Sequence, residues 1–209
     1  MRTIIFISLL ISISFHLRAQ SWKLEDYKKW DHTNFRKCTL FDQVFNAEKP
    51  DYLLLDAAIF FLTNEERMKH HVRIMEYHKN LEIAAYNHSV HMAKRNFFDH
   101  SNSMEPGRKS PSDRGLLAGI ENPHLAENIA YYPLFNRMSY LDIAEYAIDM
   151  WMNSPGHRSN ILSDSGLQFG CGVYFSDDEG YFYATQDFQW FENVVEAKQK
   201  PKDQLPGPF

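Results

Sequence analysis

The first strong pattern along the chain is a run of apolar residues at helical spacing after Asp51. Its shared face comprises Leu55, Ala58, Ile59 and Leu62. Spacing of three and four residues places side chains on one side of an α-helix and predicts a helix that packs on a core. Thr63 and Glu66 also fit a capping box, so a new helix that begins at Thr63 is an alternative.

Two further stretches repeat the helical spacing. The first has apolar and histidine positions at Leu81, Ala84, Ala85, His88 and Met92, and ends in an aromatic pair. The second has clear boundaries, since Ser139 and Asp142 form a candidate N-cap pair and Pro155-Gly156 ends it. Its apolar face comprises Leu141, Ala144, Ile148, Trp151 and Met152. Both stretches are predicted to be amphipathic helices.

Residues 167–175 and 181–188 alternate large apolar side chains with small or polar ones, around the turn 176–180. This pattern predicts a β-hairpin, and residues 127–132 are a candidate third strand. Helices that precede strands, with one helix between them, predict an α+β layered domain with an antiparallel sheet. We place this domain at residues 51–192.

Both ends of the chain differ from the central region. The first residues carry one cation and then a short apolar run, which predicts a signal peptide at 1–19 with cleavage near Ala19–Gln20. An uncleaved anchor is the alternative. Residues 20–50 are rich in aromatic side chains and predict an extension that packs on the domain, while residues 193–209 read as a polar, disordered tail. The mature protein is therefore expected to be secreted, periplasmic or extracellular, without a transmembrane segment.

The composition supports a folded core, since 44% of the 209 residues are hydrophobic and 15% are aromatic. There are 22 basic and 27 acidic residues, and cleavage would remove Arg2 and Arg18, giving a net charge of −7. Because phosphate binding requires a basic face, this balance argues against a nucleic-acid partner.

The chain has two cysteines, Cys38 in the extension and Cys171 in a predicted strand. An oxidising compartment permits a disulfide that would join the extension to the domain. Two separate buried thiols are the other interpretation, and the sequence does not choose between them.

Two histidines and one acid stand at the ends of predicted elements: His100, Glu127 and His157. Together they are candidates for a polar cleft. Ser154 and His157 also suggest a nucleophile and its base, although Ser-Pro is a common turn opening. Asp113-Arg114 is a candidate ion pair in the loop before Glu127. His88 and His91 are interpreted as surface or boundary residues.

Five segments occur in an order that resembles the CAP superfamily, also called the SCP domain, which includes cysteine-rich secretory and plant pathogenesis-related proteins. The segments are residues 97–101, 110–114, 126–130, 151–162 and 183–188. The resemblance covers roughly residues 52–190 and is closest in form to the compact bacterial branch. Each segment alone is a weak signal, whereas five in order are strong.

The resemblance implies a three-layer α-β-α sandwich with a cleft that many members line with two histidines and two glutamates, and that can hold a divalent metal. By this resemblance His100, Glu127 and His157 are cleft residues, and Ser154 stands where the second glutamate lies. A zinc ion or another divalent metal on His100 and His157 would therefore have an incomplete ligand set. Glu127 could be a third ligand or hold an imidazole in place.

Three functions remain open at this stage. The first is a non-enzymatic binding module for a lipid, an envelope component or a protein partner. The second is a hydrolase, with Glu127 as base for a metal-activated water, or with Ser154 and His157 as a catalytic pair. The third is an adhesion module with residues 20–50 as its contact surface. Since the CAP fold has no single activity, the fold is predicted more firmly than the function.

Overall fold

The computed structural model describes residues 21–206 of the chain, so the predicted signal peptide lies outside the described residues. Five α-helices and four strands follow two short 3-10 helices, Leu24–Lys28 and Phe35–Lys37. The helices are α1 (Tyr52–Lys69), α2 (Lys79–Arg95), α3 (Pro111–Leu117), α4 (Tyr140–Met152) and α5 (Pro155–Ile161). The strands are β1 (Glu76–Tyr77), β2 (Leu125–Pro133), β3 (Gly166–Ser176) and β4 (Tyr181–Trp190).

The four strands form one sheet in the order β1-β3-β4-β2. The predicted hairpin is β3 and β4, and β2 pairs antiparallel with the other edge of β4. These pairings confirm the α+β class and the mainly antiparallel sheet. The parallel strand β1 was not predicted, because its two residues are too few to produce an alternating pattern.

Helices cover both faces of the sheet, as the predicted layers require. On β2, Asn128 faces the side of α1 and α5, whereas Glu127 faces the side of α2 and α3. Helix α2 lies directly on β3 because Gly170 and Gly172 have no side chain there. A Cβ atom at either glycine would collide with the backbone of α2.

Most predicted helix boundaries are confirmed. The side chain of Asp51 accepts a hydrogen bond from the Leu54 amide, 3.1 Å away, and begins α1. Ser139 and Asp142 form the capping box of α4. The alternative helix start at Thr63 is wrong, since α1 continues to Lys69 and the Thr63 hydroxyl donates to the Ile59 carbonyl within it.

The N-terminal extension packs against α1, as expected from its aromatic residues. Phe35 stacks on Phe61 with ring centroids 5.4 Å apart, and Trp22 meets the same ring edge-on. Trp22, Phe35 and Phe41 are buried in the main core. The extension is therefore part of the hydrophobic core.

The C-terminal segment, residues 193–206, is ordered in the structure, so the expectation of a disordered tail is wrong for these residues. The Ala197 amide donates to the Gly119 carbonyl at 2.8 Å, and the Lys202 amide donates to the Leu117 carbonyl at 2.9 Å. Composition indicated disorder because the segment has few apolar residues. Backbone hydrogen bonds to the loop after α3 supply the order instead.

Cys38 and Cys171 are both buried free thiols in the structure. The structure therefore has two separate thiols and not a Cys38–Cys171 disulfide. Burial raises the pKa of each thiol, which keeps both protonated and poorly nucleophilic. Within residues 21–206, no helix has the length and apolar character needed to cross a bilayer.

Trp151 connects α4 to the sheet. Its side chain is 1% exposed, and its indole N–H donates to the Ile129 carbonyl on β2 at 3.0 Å. Truncation therefore removes both packing and a buried hydrogen bond. We expect Trp151→Ala to lower the free energy of unfolding by about 3–5 kcal/mol in urea denaturation. Met150→Ala on the exposed side of the same helix is the control, and a loss under about 1 kcal/mol for Trp151→Ala would contradict the assignment.

Two buried carboxyl groups, Asp56 and Glu82, lie between α1 and α2. The Tyr27 hydroxyl donates to Glu82 at 3.0 Å, and Asp56 accepts from the Val173 amide at 2.8 Å. Burial raises the pKa of Glu82 to about 8, against the opposing effect of the hydrogen bond from Tyr27. Burial and the charge of Glu82 raise the pKa of Asp56. Near neutral pH the pair is therefore partly protonated.

The raised pKa of Glu82 predicts a loss of stability as pH rises. A carboxyl whose pKa is higher in the folded state contributes its full stability below its unfolded pKa, near 4.3, and loses it as pH rises towards 8. Glu82→Gln removes this charge, so we expect the variant to be more stable than the wild type at pH 8 by roughly 2–4 kcal/mol. Urea denaturation at pH 5 and pH 8 measures it. An equal pH dependence in both proteins would contradict the prediction.

Candidate functional site

The carboxylate of Glu127 lies at the centre of the candidate site. It projects from β2 towards α2 and α3, and its side chain is only 1% exposed. One oxygen, Oε1, bonds the Nδ1 atom of His100 at 2.7 Å, and the other, Oε2, accepts from Nη2 of Arg114. Burial opposes ionisation, but the His100 hydrogen bond and the charge of Arg114 outweigh it and lower the pKa of Glu127. Glu127 is therefore an ionised, fully engaged carboxylate.

Helix α3 positions Arg114 for this pairing. Ser110 caps the helix, and Asp113 accepts from the Ser110 amide at 2.9 Å and from its hydroxyl at 2.7 Å. Pro111 at the first helical position favours the same start. The predicted Asp113–Arg114 ion pair is thus wrong for the described chain, because the cap engages Asp113 and Arg114 turns to Glu127.

Arg114 also organises the loop that carries His100. Its Nη1 atom donates to the carbonyl of His100 and to the carbonyl of Arg108, each at 3.0 Å. We call residues 100–109 the His100 loop. One buried guanidinium therefore holds the carboxylate, the backbone of the histidine and the far end of the loop.

His88 is the residue that the sequence interpretation placed wrongly. It is fully buried on α2, with Nε2 3.1 Å from the Asp99 carbonyl and 3.9 Å from Oε1 of Glu127. Burial lowers the pKa of His88 to about 4, so the ring is neutral at physiological pH. Its position on the same helical face as Leu81 and Met92 was the signal for burial.

The second predicted histidine, His157, comes from the first turn of α5. The Asn128 side chain donates to the His157 carbonyl at 3.1 Å, and the Asn160 side chain donates to the Glu127 carbonyl at 3.2 Å. These bonds attach α5 to the part of β2 that bears Glu127. Burial lowers the pKa of His157, and the charge of His100 acts in the same direction. The hydrogen bond to Glu127 instead raises the pKa of His100.

Ser154 occupies the N-cap position of α5, but its side chain forms no capping hydrogen bond. Its carbonyl accepts from the Arg158 amide at 2.8 Å. Within residues 21–206, no hydrogen bond joins the Ser154 hydroxyl to His157. The geometry thus fits the turn-opening role of Ser154 better than the nucleophile role.

Comparison with known proteins places this geometry in a family. The profile of the cysteine-rich secretory protein family, CAP, matches residues 60–188. The chain belongs to the CAP family. The matched region includes His100, Arg114, Glu127 and His157.

Two proteins of Bacillus subtilis (strain 168) resemble the chain. It is 28% identical over 178 residues to "Uncharacterized membrane protein YlbC", covering 79% of this chain and 46% of that protein. It is 33% identical over 111 residues to "Uncharacterized protein YkwD", covering 53% of this chain and 39% of that protein. The chain thus spans less than half the length of either relative.

A solved structure agrees with the CAP fold. An extracellular protein containing a SCP domain from Bacillus anthracis str. Ames matches with a TM-score of 0.53 and 27% identity, over 68% of this chain and 42% of that one. An outer surface protein from Borrelia burgdorferi has a TM-score of 0.52 at 14% identity, over 65% of this chain and 92% of that one. At that identity the second likeness concerns the fold alone.

The CAP family suggests a divalent metal, but the residues here do not fit a tight site. Zinc requires three or four ligands. Both oxygens of Glu127 are engaged, and by the family resemblance Ser154 stands at the position of the second glutamate. Among residues 21–206, no group of three histidine, cysteine or acidic side chains could hold a metal ion. Two imidazoles would leave a cation largely bound by water.

A second buried acid, Asp187, lies beside Glu127 in this CAP domain. The sequence did not identify it as a site residue. It lies directly opposite Glu127 in the register of β2 and β4 and is fully buried. Burial raises the pKa of Asp187 well above its ordinary range, and the charge of Glu127 adds to the effect. The pair therefore carries one negative charge, which Arg114 balances. The sequence alone does not show that Asp187 faces Glu127, because this depends on the register of β2 and β4.

Two surface pockets lie away from the histidines. One, of about 360 Å³, lies between α2 and the C-terminal segment and is lined by Leu53, Lys79, Ile83 and Leu205 among others. The other, of about 160 Å³, is lined by residues of the N-terminal extension, including Trp30 and Cys38. The exposed part of the histidine site is His100, whose side chain is 51% exposed.

The Arg114–Glu127 pair predicts a large effect of a single substitution. Arg114→Met leaves the buried carboxylate without its cation, and we expect a loss of about 3–5 kcal/mol in the free energy of unfolding. Urea denaturation measures it. Arg95→Ala breaks the exposed Arg95–Glu105 pair and should cost under about 1 kcal/mol. The double variant Arg114→Met/Glu127→Gln should lose less than Arg114→Met alone, and a larger loss would contradict the pairing.

Proposed function

We propose that the protein is an exported CAP-domain binding protein whose ligand contacts the imidazoles of His100 and His157. The observation that carries this proposal is that Glu127 is fully engaged by Arg114 and His100, while the His100 side chain is 51% exposed. The buried part of the site therefore orients a histidine that faces solvent. Such an arrangement is suited to recognition.

The two histidines offer different chemistry to a ligand. The pKa of His100 is raised by Glu127, which favours the imidazolium form, whereas burial lowers the pKa of His157 and favours the neutral ring. A cationic donor next to a neutral imidazole suits an anionic or carbonyl oxygen. Lipid head groups, envelope components and protein partners all carry such groups.

Export is supported by two observations. The first residues have the pattern of a signal peptide, and the similar protein from Bacillus anthracis is described as extracellular. The acidic net charge is compatible with an exported protein and disfavours nucleic acid as a partner.

A hydrolase is the second candidate, and the geometry supports it less. A carboxylate that acts as general base must be free to take a proton from water. Glu127 already accepts two hydrogen bonds, one of them from a permanently charged guanidinium. Ser154 is not hydrogen-bonded to His157 within the described chain. The binding function is therefore preferred.

Binding can be tested at the histidine rings. We expect glycerol 3-phosphate, an acetylated amino-sugar oligomer or an acidic peptide to shift the ring NMR signals of His100 and His157. Loss of the hydrogen bond from the neutral His157 ring should weaken that binding about tenfold in His157→Ala. His124→Ala, whose side chain is 61% exposed and pairs with Glu192, is the matched control and should bind as the wild type does.

The same variants distinguish the hydrolase. Purified protein is incubated with ester and peptide substrates, with and without Zn²⁺ or Mg²⁺. We expect no turnover above a protein-free blank. Turnover that disappears in His157→Ala but persists in His124→Ala, with both variants folded, would overturn the binding proposal in favour of an enzyme.

A further inference from the structure

We infer that the C-terminal segment is part of the histidine site, with Asp203 as a positioning residue that holds the His100 loop. The inference rests on the proposed function for its biological meaning, but its geometry is independent of any ligand. It concerns residues beyond the region that the family profile matches. Nothing in the family resemblance assigns them a role.

The contact between Arg108 and Asp203 is a bidentate, mostly buried ion pair. Nη1 of Arg108 donates to one oxygen of Asp203 and Nη2 donates to the other, each at 2.6 Å. The side chains are only 14% and 5% exposed. A bidentate guanidinium–carboxylate pair of this kind is directional, and partial burial reduces its screening by salt. Arg108 and Asp203 therefore define where the segment meets the loop.

Besides the Arg108–Asp203 pair, Glu105 attaches the His100 loop to Arg95 of α2 at 3.0 Å and also contacts Nε of Arg108 at 3.2 Å. Of residues 101–109, Asn102 alone is buried, and Met104 is 61% exposed. The Asn102 amide donates to the Lys109 carbonyl at 3.1 Å, which closes the loop on itself. Because the loop lacks an apolar core, polar contacts at Glu105, Arg108 and Arg114 decide its position.

Arg108 is connected directly to the site. Its carbonyl accepts from the same Nη1 atom of Arg114 that donates to the His100 carbonyl. Asp203 thus holds the Arg108 side chain while Arg114 holds the Arg108 backbone. Displacement of Arg108 would move one of the acceptors of Arg114, and with it the support of the His100–Glu127 hydrogen bond.

The C-terminal segment also has hydrogen bonds to α2 and α3 that do not involve Asp203. The Lys202 amide donates to the Leu117 carbonyl at 2.9 Å, and the Asn87 side chain donates to the Gln204 carbonyl at 3.1 Å. Leu117 ends α3, the helix that carries Arg114. The segment therefore joins α2, α3 and the His100 loop, three of the elements around Glu127.

The test uses the full chain and Asp203→Asn, which keeps the shape of the side chain but removes its charge. The readouts are amide hydrogen exchange across the His100 loop and the NMR signal of the His100 Nδ1 proton that bonds Glu127. We expect exchange in residues 100–109 to accelerate at least about tenfold and the Nδ1 proton signal to move upfield or broaden. Amides in α4 should keep their protection.

Two controls make the outcome decisive. Glu196→Gln removes an acid of the same segment whose side chain is 69% exposed and should leave both readouts unchanged. The exchanged pair Arg108→Asp/Asp203→Arg should restore loop protection and the His100 signal at least in part. Unchanged readouts in Asp203→Asn, or an equal loss of protection in α4, would overturn the inference. Because this experiment uses no ligand, its result can be interpreted even if the binding proposal fails.

Discussion

The structure around the site depends on one constraint, the burial of an ionised carboxylate on β2. Glu127 is almost without solvent contact, so its charge must be compensated inside the protein. Arg114 supplies the cation, and its Nη1 atom donates to the carbonyls of His100 and Arg108. The capped start of α3 and the path of the His100 loop follow from this pairing, since both keep the guanidinium in place.

The same constraint gives the three histidines near Glu127 different properties. His100 bonds the carboxylate and has a raised pKa, whereas burial holds His88 neutral with a pKa of about 4. The pKa of His157 is lowered by burial and by the charge of His100. One solvent-facing donor therefore stands beside two rings that remain neutral. This asymmetry is the basis for proposing an anionic or carbonyl ligand.

Local sequence signals were sufficient for α1, α2, α4 and strands β2 to β4, but they missed β1, α3 and α5 and did not reveal the side-chain partners. The capping box at Ser139, the Pro-Gly stop after α4 and the β3–β4 alternation each depend on neighbouring residues, and each was predicted. Arg114 was paired with its neighbour Asp113 because nothing in the sequence shows that a capping box engages that acid. Glu127 lies 13 positions away on another element. The order of residues 193–206 likewise comes from tertiary hydrogen bonds that composition does not encode.

The two flanking segments have a common role outside the matched CAP region. Tyr27 of the extension donates to Glu82 on α2, and Asp203 of the C-terminal segment pairs with Arg108 of the His100 loop. Each flanking segment therefore supplies a hydrogen-bond partner to a polar group of the matched region, residues 60–188. Without the flanking segments, these two hydrogen bonds would be missing. Because a lost partner costs more than the bond contributes, the flanks belong to the stable folding unit. The physical domain is therefore larger than the family match, and its additions act on polar groups around α2 and α3.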